Sequence, residues 1–224
     1  MNKYIAEFIG TSVLSLAVLG TITLDTNIVG TVAAGLTLAL LVYSIGRMSG
    51  AHVNPAVTLG LWSLKKISKT DALFYILAQF AGAALVLILM KIFNIIIPLQ
   101  AGSEFGIPFG AELIGALVFT FGIASVVYGS GDEKKVISPF IIGGSLTIGA
   151  TIASGLGSNG VLNPAVAFAL GTFGYAYFLG PIVGAVLGMW LYAYLNCECS
   201  GSCAEGCDCP VKDITSAIAG KLKK

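Results

Sequence analysis

Long apolar stretches, separated by short polar or glycine-rich connections, run along most of this chain. Six of them have the length and composition of a helix that crosses a lipid bilayer, and their expected positions are about 4–22, 28–46, 72–93, 107–128, 137–156 and 176–195. An even number of crossings places both termini on the same side of the membrane. The pattern therefore predicts an all-α membrane protein with six transmembrane helices.

Two shorter apolar runs each follow the tetrapeptide Asn-Pro-Ala-Val, which begins at Asn54 and again at Asn163. Proline fits the first turn of a helix because its missing N–H would have no partner there. Each motif therefore predicts a helix start with asparagine as the N-cap. The runs at 57–64 and 166–173 span only part of a hydrocarbon core of about 30 Å, so they predict two re-entrant half-helices.

The two halves of the chain resemble each other in sequence. Ala-Glu-Phe-Ile-Gly at 6–10 returns as Ala-Glu-Leu-Ile-Gly at 111–115, and the second Asn-Pro-Ala-Val is displaced by a similar distance. Three crossings per half, an odd number, turn the second half upside down in the membrane. We therefore expect one membrane domain over 1–196, built from inverted repeats at about 1–100 and 106–196.

This inversion makes the two half-helices enter from opposite faces, so their positive N-terminal ends meet near the middle of the membrane. Irregular backbone at that depth is tolerated only where it is buried in protein or lines a water-filled cavity. A central pore is the simplest such cavity.

Composition and charge exclude several other classes of protein. The chain is 56% hydrophobic and 10% charged, which excludes a soluble globular domain. A net charge of +1 gives no reason to expect a nucleic-acid partner. We find no nucleophile elbow, phosphate-binding loop or histidine-rich metal motif in the crossings, so an enzyme is not expected.

The lysines predict the orientation of the chain. In a six-crossing arrangement most of them fall on one side, and the positive-inside rule makes that side cytoplasmic. Both termini are therefore expected in the cytoplasm, with the protein in the cell membrane. The lysines that carry this prediction are Lys3, Lys65, Lys66, Lys69, Lys134, Lys135, Lys212, Lys221, Lys223 and Lys224.

Several motifs together are similar to those of a known family. Ala-Glu-Phe-Ile-Gly-Thr from Ala6, His-Val-Asn-Pro-Ala-Val-Thr from His52, Gln79, Glu112 and the second Asn-Pro-Ala look like an aquaporin, of the major intrinsic protein family. The resemblance covers about 4–196 and implies a homotetramer with one pore in each subunit. The pore motifs that it implies are Asn54, Pro55, Ala56, Asn163, Pro164 and Ala165.

The resemblance implies roles for the polar residues of these motifs. Asn54 and Asn163 would offer N–H donors to a permeating molecule, and protons would meet an electrostatic barrier there. His52 would line the cytoplasmic vestibule of the pore. The alternative for this histidine is a packed or surface imidazole.

Two glutamates, Glu7 and Glu112, fall within apolar crossings, where a charge is costly unless it is paired or wetted. The resemblance implies that they accept hydrogen bonds from the re-entrant loops and brace them, together with Gln79. The alternative is a direct part in transport, which would require a chain of proton-relaying partners.

An outer constriction is implied at Ala34, Thr151, Gly160 and Val166. Relatives usually place arginine directly after the second Asn-Pro-Ala, where this chain has Val166. All four residues are small or uncharged, so the constriction is expected to be wider and less polar than usual. We therefore predict passage of water and small neutral solutes such as glycerol, urea or ammonia. Weaker exclusion of cations is a second hypothesis.

A cysteine-rich tail over 197–224 follows the last crossing and is predicted to be cytoplasmic. Clustered thiolates in a reducing compartment suit Zn²⁺ or Cu(I), and the alternatives are reversible lipidation or an unligated tail. Beyond the cysteines, apolar residues at four-residue spacing predict a short amphipathic helix on the membrane surface, with a frayed tail as the alternative. The candidate metal ligands are Cys197, Cys199, Cys203, Cys207 and Cys209, and the apolar residues are Ile214, Ile218 and Leu222.

Other functions fit the same pattern less well. A non-conducting structural or adhesion protein would keep the same fold with a blocked pore. A secondary transporter also uses inverted repeats and broken helices, but it usually has more crossings and a coupling-ion site. The expected partners are therefore water, small neutral solutes, membrane lipid and further copies of the chain, and no cofactor is expected apart from the tail metal.

Overall fold

The structure is a computed structural model that describes residues 1–23, 29–96, 106–129 and 132–199, with the backbone alone described at 132–135 and 197–199. Helices make up most of the described chain, and no strand occurs in these ranges. They are α1 (Asn2–Thr23), α2 (Gly30–Ser49), α3 (Pro55–Ser63), α4 (Lys69–Ile92), α5 (Ile107–Val127), α6 (Asp132–Gly155), α7 (Pro164–Ala169) and α8 (Tyr175–Cys199).

Six of these helices are long and apolar enough to cross a membrane: α1, α2, α4, α5, α6 and α8. The predicted all-α fold with six crossings is therefore confirmed. Many large apolar side chains on their outer faces are exposed, as expected where lipid replaces water as the solvent, among them Leu36, Leu40 and Tyr43.

The two short helices, α3 and α7, begin at Pro55 and Pro164, as their motifs predict. Helix α7 ends at Ala169, earlier than the apolar run of the sequence suggests. The reason is Gly171, whose φ of +70° is a left-handed conformation that ends the helix. Each helix is too short to cross a bilayer, so both are half-helices.

Packing between the helices repeats in the two halves. Helix α1 packs against α2 and α4, as α5 packs against α6 and α8, and the two halves meet where α2 crosses α6. The half-helices are exchanged between the halves, because α3 packs against α8 and α7 packs against α4. This arrangement of six crossings and two half-helices is the predicted inverted repeat.

Glycines allow the closest helix crossings. A Cβ atom at Gly143 of α6 would overlap the carbonyl oxygen of Gly35 in α2, and a Cβ at Gly35 would overlap the side chain of Thr147. Gly115 of α5 and Gly149 of α6 face each other in the same way. Backbone contact of this kind lets helices associate through dispersion without a hydrophobic driving force.

Candidate functional site: a cavity beside two asparagines

Asn54 and Asn163 cap the two half-helices with their side-chain oxygens. The Oδ1 atom of Asn54 accepts from the backbone N–H of Ala56 at 2.8 Å. In the second half, Oδ1 of Asn163 accepts from the N–H groups of Ala165 at 3.0 Å and Val166 at 3.4 Å. Because capping turns these oxygens towards the backbone of their own helices, the amide N–H groups point away from the helix ends.

Each asparagine amide also reaches across to the other half of the chain. Asn54 donates from Nδ2 to the carbonyl oxygen of Leu162 at 2.9 Å, and Asn163 donates from Nδ2 to the carbonyl oxygen of Val53 at 2.9 Å. An amide nitrogen carries two N–H donors, so each asparagine keeps one donor beyond this bond.

Val53 and Leu162, which precede the two asparagines, both have left-handed backbone conformations, with φ values of 42° and 53°. This region is unfavourable for residues other than glycine, and most of all for a β-branched residue such as valine. Surrounding hydrogen bonds must therefore hold the two residues in place.

Glu7 of α1 supplies those bonds in the first half. Its Oε1 atom accepts from the Ser49 hydroxyl at 2.6 Å and from the backbone N–H of His52 at 3.0 Å. Its Oε2 atom accepts from the N–H of Val53 at 2.6 Å and from the Gln79 amide at 2.8 Å. All four partners donate, as an ionised carboxylate requires.

Glu112 of α5 occupies the corresponding place in the second half. It accepts from the Ser158 hydroxyl at 2.8 Å and from the backbone N–H groups of Val161 at 2.9 Å and Leu162 at 2.7 Å. Both glutamate side chains are completely buried. Charge-assisted hydrogen bonds to backbone offset the cost of burying a carboxylate, and here they also fix the path of the re-entrant segments.

A cavity of about 250 Å³ lies beside the paired asparagines. Helices α1, α2, α5 and α6 line it together with α7 and both re-entrant segments, and most of the lining side chains are apolar. No charged side chain lines it in the described parts of the chain. Its polar side chains are Thr21, Thr31, His52, Asn54, Ser154, Asn159 and Asn163.

Of the residues predicted for an outer constriction, Ala34, Gly160 and Val166 line this cavity. Thr151 is not among the lining residues. Its exposed hydroxyl donates to the carbonyl oxygen of Thr147 at 2.7 Å and lies 3.3 Å from the Thr31 hydroxyl, at the contact between α2 and α6.

Helix α6 instead presents Leu146, Ala150 and Ser154 to the cavity. These residues are four apart, so they share one face of the helix, and Thr151 is turned away from that face. The sequence prediction did not include Ser154. The available signal was the four-residue spacing of the small residues Ala150 and Ser154.

The side chain of His52 is half-buried and lines the cavity, so it is neither a fully packed imidazole nor a free surface imidazole. Its ring lies edge-on to Tyr75, with 5.0 Å between centroids, and Nδ1 is 3.2 Å from the Thr58 hydroxyl oxygen. Gln79 joins this group by donating from Nε2 to Thr58 at 3.0 Å as well as to Glu7. Thr58 was missed as a site residue in the sequence.

The residues predicted to bind metal are a different case. Within the described ranges, no group of three or more His, Cys, Asp or Glu side chains is placed to hold a metal ion. Cys203, Cys207 and Cys209 lie outside those ranges, as does the predicted amphipathic helix, and only the backbone is described at Cys197 and Cys199. The metal site of the tail stays a prediction.

Comparison with known proteins assigns the family. A model of the major intrinsic protein family matches residues 1–192. The chain is 37% identical over 189 residues to the probable aquaporin AqpM of Archaeoglobus fulgidus, with 74% of this chain and 75% of the relative covered. It is 35% identical over 186 residues to aquaporin AqpM of Methanothermobacter thermautotrophicus, covering 74% and 76% of the two proteins.

Among solved structures, the aquaglyceroporin from Plasmodium falciparum has a similar fold. Its TM-score is 0.62 at 23% identity, and the match covers 85% of this chain and 93% of that one. At this identity the likeness concerns the fold alone. The family match and the sequence identities together show that the chain belongs to the major intrinsic protein family, whose members are multi-pass membrane channels and not enzymes.

Proposed function

We propose that the chain forms a passive pore for water and small neutral solutes, with glycerol, urea and ammonia as candidates, and that protons are excluded at the paired asparagines. The observation that carries this proposal is the hydrogen bonding of the Asn54 and Asn163 side chains. Their oxygens are engaged in capping, and each amide keeps one N–H donor where both residues line the cavity.

Proton exclusion follows from the direction of these donors. A water molecule between Asn54 and Asn163 accepts hydrogen bonds from both, so its own hydrogens point away along the pore. It then has no acceptor lone pair available to pass a proton along a file of water. The positive N-terminal end of α3 at this position adds an electrostatic barrier to cations.

The re-entrant segments supply acceptors on either side of this point. The carbonyls of Val53 and Leu162 are engaged by the asparagine amides. The acceptors for solute therefore come from earlier in each segment, at about 50–52 and 157–161, where glycines and Ala51 adopt left-handed conformations. A neutral solute exchanges its hydration for these carbonyls as it passes.

The lining of the cavity supports solutes larger than water. A volume of about 250 Å³ has room for several water molecules or for one small organic solute, since the share of liquid volume of one water is about 30 Å³. Val166 places an apolar side chain at the wall, and no described lining residue carries a fixed charge. Relatives that are named aquaporins, and a solved structure named an aquaglyceroporin, are consistent with both kinds of solute.

Stopped-flow light scattering on liposomes that contain the purified chain tests the proposal. We expect faster volume changes than in protein-free vesicles with sucrose, and solute entry with at least one of glycerol, urea and ammonia. A pH-sensitive dye inside the vesicles should report no added proton leak. Volume changes equal to those of empty vesicles would favour a non-conducting structural or adhesion protein, and saturable, ion-dependent flux would favour a secondary transporter.

We also propose a homotetramer in the cell membrane, with lipid around it and both termini in the cytoplasm. Exposed apolar side chains such as Leu36 and Leu40, each 61% exposed, give the single subunit surfaces that lipid or neighbouring subunits would cover.

The cysteine-rich tail is proposed to bind Zn²⁺ or Cu(I), on the basis of five cysteines within 197–209. Native mass spectrometry of the full chain with either ion should show a bound metal. A spectrum without any bound ion would leave lipidation or an unligated tail.

A further inference from the structure

His52 is the only histidine of the chain, and it lines the cavity two residues before Asn54. Its two ring nitrogens have different surroundings. Nδ1 lies 3.2 Å from the hydroxyl oxygen of Thr58, whereas Nε2 has no hydrogen-bond partner among the described residues. The tautomer of the neutral ring therefore decides whether Nε2 offers the cavity a donor or an acceptor.

The direction of hydrogen bonding is set at Glu7, some distance from the histidine ring. Gln79 lies between Glu7 and Thr58, with Nε2 at 2.8 Å from the carboxylate and 3.0 Å from the hydroxyl oxygen. Rotating the amide would turn its oxygen towards the carboxylate and place two acceptors against each other. Nε2 therefore faces both groups, and Thr58 accepts a hydrogen bond from Gln79.

Thr58 has one hydroxyl proton to donate. Its oxygen lies 3.0 Å from the backbone carbonyl of Asn54 as well as 3.2 Å from Nδ1 of His52. If Nδ1 carries the proton, Thr58 accepts from Gln79 and His52 and donates to Asn54, which makes three hydrogen bonds. If Nδ1 is bare, the hydroxyl must turn towards it and loses the bond to Asn54, which leaves two.

We propose that Glu7, acting through Gln79 and Thr58, holds His52 in the tautomer protonated on Nδ1, so that Nε2 is an acceptor for molecules in the cavity. Gln79 and Thr58 are positioning residues in this arrangement, because they act on solute through His52. The tautomer is a property of the folded chain, and only its meaning for transport rests on the proposed function.

In transport, a molecule would meet the N–H donors of Asn54 and Asn163 and the Nε2 acceptor of His52 one after the other. A water molecule that accepts from Asn54 donates towards Nε2 of His52, which is the same orientation that the asparagines impose. The second half has no such relay, since the residues at the corresponding positions are Val161 and Ala167. The polar acceptor therefore belongs to one side of the asparagine pair.

Nitrogen-15 NMR of histidine-labelled, full-length protein in lipid bilayers measures the tautomer directly. One histidine gives one pair of ring signals, and at about pH 8 an unperturbed ring is neutral. We expect a one-bond ¹⁵N–¹H coupling at Nδ1 and none at Nε2. A proton found on Nε2 in the unmodified chain overturns the inference, and this result requires no variant.

Variants then test the relay. Thr58→Val keeps the size of the side chain and removes its acceptor, so we expect loss of the Nδ1 coupling and a new coupling at Nε2. Thr58→Ser restores the hydroxyl and should restore the Nδ1 coupling. Tyr75→Phe is the matched control, because it keeps the ring beside His52 and removes only the hydroxyl that donates to Ser49 at 2.8 Å.

An Nδ1 coupling that persists in Thr58→Val contradicts the relay. Vesicle swelling on the same samples separates the two proposals. Protein that has the Nδ1 tautomer but no permeability refutes the pore and leaves the relay intact. Permeability together with an Nε2 proton refutes the relay and leaves the pore.

Discussion

At the scale of single residues, Val53 and Leu162 connect the two halves of the site. Each uses its N–H for the glutamate of its own half and its carbonyl for the asparagine of the other half. A left-handed conformation at such residues costs on the order of 1–3 kcal/mol, which these bonds offset. Each glutamate is therefore connected to the asparagine of the other half through the backbone of one residue.

Replacing Glu112 by glutamine tests this connection. The carboxylate accepts at both oxygens, so an amide nitrogen in place of one oxygen faces a donor and leaves a buried group unsatisfied. We expect Glu112→Gln to lower the free energy of unfolding by about 1–3 kcal/mol and to lower water permeability. Thermal unfolding in detergent and vesicle swelling measure the two effects.

The control for this change is Asp71→Asn. Asp71 is a partly exposed acid that pairs with Lys3 at 2.8 Å near the start of α4. A surface pair of this kind contributes about 0–1 kcal/mol, so its loss should be small in both measurements. Equal effects of the two substitutions would contradict the bracing role of Glu112.

Val166→Arg tests the wall of the cavity. Val166 is 2% exposed and lines the cavity, so an arginine there narrows the passage and adds a fixed positive charge. We expect glycerol permeation to fall about tenfold, equivalent to ~1.4 kcal/mol, while water permeation persists. Stopped-flow measurements with glycerol and with sucrose measure glycerol and water permeation, respectively. An unchanged solute range together with an unchanged proton leak would show that Val166 does not control selectivity.

Some site residues could be predicted from the sequence, and others could not because their roles depend on the three-dimensional packing of the helices. Asn54 and Asn163 could be recognised as helix caps because capping depends on chain order near a proline, whereas the bracing roles of Glu7 and Glu112 were implied by the family resemblance. Ser154 and Thr58 could not be recognised, because the rotation of a helix about its axis decides whether Ser154 lines the cavity and whether Thr58 contacts His52. One residue of error in alignment turns a side chain by about 100° in an α-helix, which is the difference between Ala150 and Thr151.

At the scale of the elements, the two halves of the chain come into close backbone contact where α2 crosses α6. Apolar periodicity located both helices within a few residues, yet it could not show that Gly35 and Gly143 face each other across the crossing. Hydropathy also did not predict that α7 ends at Ala169. This end depends on the left-handed conformation of Gly171, which a run of apolar residues does not reveal.

Adjacent glycines of α6 provide a matched pair of substitutions. Gly143→Ala places a Cβ against the backbone of Gly35, whereas a Cβ at Gly144 meets nothing within 4 Å. We expect Gly143→Ala to destabilise the fold by about 1–3 kcal/mol through overpacking. Gly144→Ala should be neutral or stabilising by up to ~1 kcal/mol, since alanine favours helix. If the two variants unfold at similar temperatures, the crossing of α2 and α6 tolerates a larger distance between the two helices.

At the scale of the whole molecule, the proposed orientation places the connection between α3 and α4 in the cytoplasm and the start of α2 outside. Cysteine labelling distinguishes the two faces once the native cysteines are replaced by serine. We expect Lys69→Cys, at the start of α4, to react with a membrane-impermeant maleimide only after cells are opened. Val29→Cys, at a residue that is 63% exposed, should react in intact cells. The reverse pattern of labelling would invert the orientation.

The exchange of half-helices between the halves has a consequence for how the chain is made. Asn54 donates to a carbonyl 108 residues later in the sequence, and α3 packs against α8, the last helix within the described ranges. A chain interrupted after its first half therefore holds a re-entrant segment with no cross-partner and no complete wall around it. Such a fragment should therefore form no complete pore, because the pore needs both halves of the chain to be present.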